Sequence, residues 1–329
     1  MNDERVLDVR NLSIDLISKR GVVNAIKDIN FEVKSGKTLG IIGESGSGKS
    51  LTCSAILGLL DSEQWIVNGD ISLKDEGMPY RNNKEMIKYR GKRIALITQN
   101  PMSSFDPLMS IKKHFIETLI GCKNITKIDI EEKAIELLEK MHIKNAKYVL
   151  DSYPFQLSGG MLQRVMIAIA ISLEPDILIA DEPTTALDLT IQFEIVKILK
   201  EMQEKLGTTI LIVSHDLGVI SELADDVVVM YAGDIVEKGP INYILENPSH
   251  PYTKGLFSSR PAFSKERLNV LEGHPPNLFQ RNRGCQFYDR CSEKGHSCKS
   301  NDIYVSKINN FHEVRCIRFK KEESSSGTA

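Results

Sequence analysis

The sequence predicts an α/β protein with a mainly parallel sheet, and two observations carry that prediction. Short apolar runs that read as buried strands alternate with longer helical patterns: TLGIIG at 38–43, RIALITQ at 93–99, DILIAD at 176–181 and TTILIVS at 208–214. Such alternation is the pattern of a layered fold with helices packed on a sheet. The second observation is the octapeptide GESGSGKS at 43–50, which follows the first apolar run and precedes a helical stretch, LTCSAILGLL. Strand, glycine-rich loop and helix in that order form a phosphate-binding loop.

Taken in order, the first 35 residues differ from the rest. VLDVRNLSIDLI and AIKDINFEV suggest a small antiparallel sheet. In the loop that follows, the backbone N–H groups from Gly43 through Glu44, Ser45, Gly46, Ser47 and Gly48, with Leu51 just beyond, are placed to surround a β-phosphate. Lys49 reaches the β- and γ-phosphates and the Ser50 hydroxyl binds Mg²⁺. The competing reading is a glycine turn with an exposed lysine. Gln99 ends the next strand. Between Gln99 and Pro175 the strand signal disappears, and helices around 111–121 and 126–142 make this a helical insertion, about residues 100–175.

The stretch LSGGMLQR at 157–164 places Gly159 and Gly160 at the start of a helix, where glycine costs about 1 kcal/mol relative to Ala. The pair fits either a tight turn before a core helix or a helix N-terminus, capped by Ser158, whose N–H groups approach an anion. ILIADEP at 177–183 sets Asp181 at a strand end, where a Mg²⁺ site needs a carboxylate, with Glu182 beside it to orient or deprotonate water. On its own, that acidic pair reads as a solvated strand end; the phosphate loop upstream reverses the preference. His215 closes ILIVSHD, either donating to a γ-phosphate or hydrogen-bonded within a loop.

Bulk properties exclude several classes. The 329 residues are 41% hydrophobic with a net charge of −2, enough for a sizeable core and without the basic field that holds nucleic acid. MNDERVLDVR has no apolar h-region, and VMIAIAISL at 165–173 is too short to span a membrane, so a cytosolic chain is expected. Of six cysteines, Cys285, Cys291, Cys298 and Cys316 crowd into the last 45 residues. Their spacing contains no C-x2-C pair and matches neither a zinc ribbon nor the bacterial ferredoxin run. A disulfide framework does not suit a cytosolic protein, whereas a metal could lend folding energy to so apolar-poor a segment. The terminal KKEESSSGTA is expected to be disordered.

The phosphate loop, Gln99, LSGG, ILIADEP, ALD and SHD occur in this order, and together they resemble the ATPase subunit of ATP-binding cassette (ABC) transporters over roughly residues 5–245. The resemblance implies a P-loop NTPase fold of the ABC type: a mixed sheet core, a small antiparallel β subdomain and a helical subdomain, spanning 1–248. It implies ATP and Mg²⁺ as cofactors, Ser50, Gln99 and Asp181 on the metal, Glu182, His215 and Gln99 in hydrolysis, and Asp188 in the D-loop. It also implies that Ser158, Gly159 and Gly160 face the γ-phosphate held by a second ATPase subunit, in a head-to-tail dimer with two composite sites.

A narrower resemblance comes from NPSHPYTKGL, LEGHPP, GCQFYDRC and HEVRC, which look like the tails of oligopeptide, dipeptide and nickel importer ATPases. It implies a C-terminal extension over 249–318, a tail at 319–329, and a role as importer motor for di- or oligopeptides, with nickel or another small solute as the alternative. It further implies a second, related ATPase subunit, two transmembrane permease subunits, an extracytoplasmic substrate-binding protein, and a place on the cytoplasmic face of the membrane. Similar tails hold a 4Fe-4S cluster, for which the four thiolates match in position; zinc, or no metal at all, are the alternatives, and a sensing tail that regulates the motor is a further reading. A soluble cassette protein acting on ribosomes or DNA is a rival, disfavoured by the near-neutral charge and single cassette. Two positions depart from the subgroup: Phe155 stands where histidine is expected and Leu162 where arginine is expected. ISKRGVVNAI, where an aromatic that stacks on adenine is expected, contains none, leaving Arg20 or Val22 for that place.

Overall fold

The computed structural model describes residues 4–120, 126–185, 187–258 and 271–319, so the expected disordered segment from residue 320 onward lies outside the described residues. The chain opens with two long antiparallel strands, β1 (Arg5–Ser18) and β2 (Gly21–Lys34), as the mixed polar and apolar pattern predicts. The central strand β3 (Thr38–Ile42), buried along its whole length, leads through the glycine-rich loop into α1 (Lys49–Ile56). Next, β4 (Trp65–Leu73) and the two-residue β5 (Glu76–Gly77) complete a four-stranded antiparallel sheet in the order β2-β1-β4-β5. After α2 (Asn83–Met86) comes β6 (Ile94–Ile97).

The helical insertion follows as expected: α3 (Ile111–Leu119), α4 (Lys127–Lys140), α5 (Ala146–Asp151) and α6 (Gly159–Ile171). A reciprocal capping box starts α4, where the Thr126 hydroxyl accepts from the Asp129 N–H while the Asp129 carboxylate accepts from the Thr126 N–H. The chain then alternates β7 (Ile177–Asp181), α7 (Leu189–Leu206), β8 (Ile210–Ser214), α8 (Leu217–Leu223) and β9 (Asp226–Tyr231). It turns through a hairpin into β10 (Asp234–Pro240) and continues into α9 (Ile241–Glu246) and α10 (Pro251–Ser258). The cysteine-bearing segment contributes α11 (Ser297–Ser300), β11 (Ser306–Lys307) and β12 (Glu313–Val314).

The second sheet has eight strands in the order β11-β12-β10-β9-β3-β8-β7-β6. All four apolar runs singled out in the sequence lie side by side in it as parallel strands, and β9 also joins β3 in parallel. From β10 outward the pairing is antiparallel, so the sheet is mixed. Successive side chains point to opposite faces. Ile41, Ile179, Leu211 and Val213 therefore join a core with Leu12 and Ile26 of the antiparallel sheet and Ile56 of α1. Ile42, Leu178, Ala180 and Ile212 join another, with Leu162 of α6, Ile195 of α7 and Ile220 of α8. Both faces are covered, which is why these strands read as continuous apolar runs.

The C-terminal segment is joined to this sheet directly. Strand β12 pairs with β10 through Glu237↔Val314 and Lys238↔Glu313. His312 and Glu237, both fully buried, share a 2.7 Å hydrogen bond, and the same carboxylate accepts the N–H groups of Ser249 and His250. Arg281 donates to Asp234 at 2.7 Å.

Candidate active site

The parallel strands deliver four groups of predicted residues to one end of the sheet, the carboxyl ends of β3, β6, β7 and β8, where open α/β sheets bind ligands. The loop after β3 is tight at Gly43, where a Cβ would fall on the Met230 carbonyl. It is left-handed at Gly48, with φ 107°, the residue that caps α1. Glu44, Ser45 and Gly46 lie along the outer part of the loop, Ser47 is buried, and Leu51 packs its side chain on the core.

Lys49 is only 4% exposed. Its Nζ donates to the carbonyls of Gly43 at 2.8 Å and Glu44 at 3.0 Å, which leaves one of the three ammonium donors for a further acceptor. Burial lowers the Lys49 pKa, and the charges of Glu182 and Asp181 push it back toward the cationic form. Beside it the Ser50 hydroxyl donates to Asp181 Oδ1 at 2.9 Å. Burial raises the Asp181 pKa, with Glu182 adding to the effect, while the Ser50 hydrogen bond and Lys49 oppose it. A carboxylate and a hydroxyl in contact at a site lined by a lysine are oxygen donors of the kind Mg²⁺ takes, so this pair fits the cation the sequence implies.

Glu182 is the hub of the site. Its backbone is left-handed, φ 49°, which is costly for a side-chain-bearing residue. The N–H is anchored to the Val213 carbonyl at 2.8 Å. The Oε2 atom accepts from Gln99 Nε2 at 3.3 Å and from the Thr185 hydroxyl at 2.9 Å, and lies 3.2 Å from His215 Nδ1. Gln99, expected on the metal, here bonds to Glu182. Thr185 is a participant that the sequence reading missed; its signal was its place three residues beyond Glu182 in DEPTT.

The signature residues form a second group. Ser158 caps α6 by accepting the Met161 N–H at 3.3 Å, and Ser158 and Gly159 are exposed. The two glycines have different reasons. A Cβ on Gly160 would come within 2.5 Å of Ile191 Cγ2, so this glycine lets α6 close on α7, whereas a Cβ on Gly159 would meet only Leu187 at 3.8 Å. Asp188 caps α7 through the Ile191 N–H at 3.0 Å and is exposed. Among the described residues no hydrogen bond or ion pair joins this group to the phosphate loop. Phe155 is exposed and stacks on Tyr153 at 5.7 Å, while Leu162 is fully buried in the core. Val22 is exposed, and the Arg20 guanidinium lies 5.7 Å from the ring centroid of Phe279, far along the chain.

The four C-terminal cysteines are free thiols lining one cavity of about 20 Å³ with His250. Burial raises the thiol pKa of Cys291 and Cys316, and that of Cys285 to about 12. Among the described residues no group of three or more His, Cys, Asp or Glu side chains is arranged to hold a metal ion, so the structure lends the expected 4Fe-4S cluster no ready-made site.

Comparison with known proteins agrees with this geometry. The ABC transporter family profile matches residues 26–185, and the profile of the oligopeptide/dipeptide transporter C-terminal region matches 236–298. The chain is 39% identical to the oligopeptide transport ATP-binding protein AppD of Bacillus subtilis, over 96% of this chain and 98% of that one. It is 43% identical to the dipeptide transport ATP-binding protein DppD of Lactococcus lactis, over 88% and 84%. Among solved structures, the dimeric post-hydrolysis state of the ATP-binding cassette MJ0796 bound to ADP and Pi superposes with a TM-score of 0.63 at 26% identity, covering 71% of this chain and 98% of that one. The cbiO1 cassette of Clostridium perfringens gives 0.64 at 28%, covering 74% and 92%.

Proposed function

The chain belongs to the ABC transporter ATPases, in the branch of oligopeptide and dipeptide transport ATP-binding proteins, and from that premise we propose that it hydrolyses ATP to drive import of small peptides. The observation that carries this reading is the convergence of Gln99, Thr185 and His215 on the Glu182 carboxylate, next to the Ser50–Asp181 pair and Lys49. In our reading Lys49 binds the phosphates with its remaining donor, and Ser50, Asp181 and Gln99 hold Mg²⁺, which neutralises phosphate charge when bound. Glu182 takes the proton of the attacking water, and His215, 59% exposed at its side chain and hinged at the end of β8, is free to turn toward the γ-phosphate. The test is Glu182→Gln: it should keep ATP affinity and lose turnover by about a hundredfold or more. Rapid hydrolysis by this variant would remove Glu182 from the role.

The separation of the signature group from the phosphate loop supports a head-to-tail dimer, in which Ser158–Gly160 of each chain complete the site of the other. As partners we propose a related ATPase as that second chain, two permease subunits meeting the exposed Met102 and Leu108, and a substrate-binding protein outside the cell, with the chain at the cytoplasmic side of the membrane; the relatives, as peptide-transport ATP-binding proteins, support the coupling to a transporter. No described helix is long and apolar enough to cross a membrane. The same relatives favour peptide over nickel as cargo.

For the tail, the finer reading is a 4Fe-4S cluster held by Cys285, Cys291, Cys298 and Cys316. Two features support it: the four thiols share one cavity, and His250, which also lines it, has a fully buried Nε2 without a partner. His250 Nδ1 accepts the Tyr252 N–H, so Nε2 carries the proton and can donate to sulfur. Absorbance near 400 nm with bound iron and sulfide in anaerobically purified protein is the expected result; zinc or bare thiols would overturn it.

A further inference from the structure

One contact of the phosphate loop comes from the far end of the chain. Arg290, which stands between Cys285 and Cys291, forms a two-pronged ion pair with Glu44, Nη1 to Oε2 at 2.7 Å and Nη2 to Oε1 at 3.0 Å. The planar guanidinium makes such paired bonds to a carboxylate, which the point charge of a lysine does not. The guanidinium is 6% exposed and Glu44 26%. Its remaining donors are used on the Glu272 carbonyl at 2.9 Å, the Leu271 carbonyl at 3.3 Å and the Tyr231 hydroxyl at 3.3 Å, with the rings of Tyr231 and Phe287 against it. The arginine is thus fixed from every side before it meets Glu44.

Glu44 is held twice. Its N–H donates to the Tyr252 hydroxyl at 2.9 Å, while its carbonyl accepts from Lys49 Nζ at 3.0 Å and from the Ser47 N–H at 3.1 Å. One residue therefore links the C-terminal segment to the cation that receives phosphate. A carboxylate in a phosphate-binding loop is a hazard. Released, it could turn onto Lys49 and would repel a triphosphate by like charge, in a setting where water screens poorly.

We propose that Arg290 is a positioning residue of the nucleotide site, holding the Glu44 carboxylate away from Lys49 so that the cysteine-bearing segment is a working part of ATP binding. This rests on the reading of Gly43–Ser50 as the phosphate loop and adds a residue to it that lies outside every cassette motif.

The test uses the full chain, titrated with a fluorescent ATP analogue, and the assembled transporter for kinetics. Arg290→Met should weaken nucleotide binding about tenfold, the loss of one partner of a partly buried charge pair. In hydrolysis the loss should fall on KM for ATP, with kcat within about twofold. The double variant Glu44→Gln/Arg290→Met, which removes the unpaired charge, should recover affinity to within about threefold of the unaltered chain. Unchanged binding in Arg290→Met overturns the proposal. So does a double variant as weak as the single, because Arg290 would then act only by folding the segment. If Arg290→Met does not fold, the double variant decides alone: near-normal binding supports the proposal, and loss of folding or binding overturns it. Lys49→Ala serves as the control; if it binds normally, the phosphate-loop reading itself fails, whatever Arg290 does.

Discussion

Gly159 and Gly160 are neighbours in sequence and opposites in environment, which turns an ambiguity of the sequence into two distinct mutations. Gly160→Ala should lower stability by about 1–3 kcal/mol, because the new methyl meets Ile191 at 2.5 Å, and Ile191→Ala should restore part of the loss in thermal unfolding. Gly159→Ala has open space around it and gains helix propensity, so its stability should hold or rise by up to about 1 kcal/mol. ATP hydrolysis by the assembled transporter should nevertheless fall if Gly159 faces a phosphate; full activity would return Gly159 to a mere turn. At this scale the sequence was most legible where chemistry is local. Lys49, Ser50, Asp181, Glu182 and His215 stand in short motifs whose composition and order along the chain are read together. Arg290 stands in GCQFYDRC, but nothing in that stretch points to its partner Glu44, 246 residues away.

At the scale of elements, Asp176 at the entry to β7 joins three segments. Its carboxylate accepts from Arg93 Nε at 2.7 Å and pairs with Lys74 Nζ at 2.5 Å, tying the parallel sheet to the antiparallel one. Burial raises its pKa, but Lys74 and Arg93 outweigh that and hold it below the ordinary 3.8. The stabilisation is therefore present above that value and is lost as pH falls through the lower folded one. Asp176→Asn should reduce the thermal midpoint at pH 7, and the difference should shrink as pH falls below 3.8 toward the lower folded pKa; a constant difference across that range would rule out the charge as the cause. The parallel strands were readable from composition because both faces are buried. Two other features were not. The β9–β10 hairpin turns at Ala232 (φ 46°) and Gly233 (φ 82°), so the usual Asn-Gly signal is replaced by Ala-Gly. In β4 the dipeptide Asn68-Gly69 reads as a turn but lies inside a strand. There Gly69 (φ 110°) faces the bulge of β1, and a Cβ would come within 2.7 Å of the Arg10 and Asn11 carbonyls.

At the scale of the whole molecule, the signature group and the phosphate loop of one chain share no hydrogen bond or ion pair among the described residues, which the proposed dimer turns into two half-sites. Under head-to-tail pairing with an unaltered partner, Lys49→Ala and Ser158→Arg in the same chain should abolish ATP trapping at both composite sites. Either change alone should spare one site, at about half the trapped nucleotide. If Ser158→Arg disabled only the phosphate loop of its own chain, the pairing would be wrong. The helical insertion was legible from the loss of strand signal between Gln99 and Pro175, but the order of strands in the sheet was not, and neither was the way the tail meets the sheet, because two-residue strands leave no periodic trace.

That meeting has a consequence for how the chain can be shortened. Strand β12 occupies the outer rim of β10, and His312 supplies the only hydrogen bond from a side chain to the sealed Glu237 carboxylate among the described residues. A protein ending near residue 300 would bare a row of unpaired amides and carbonyls beside a stranded acid, so we expect it to clump through strand-to-strand contacts before any loss of catalysis could be measured.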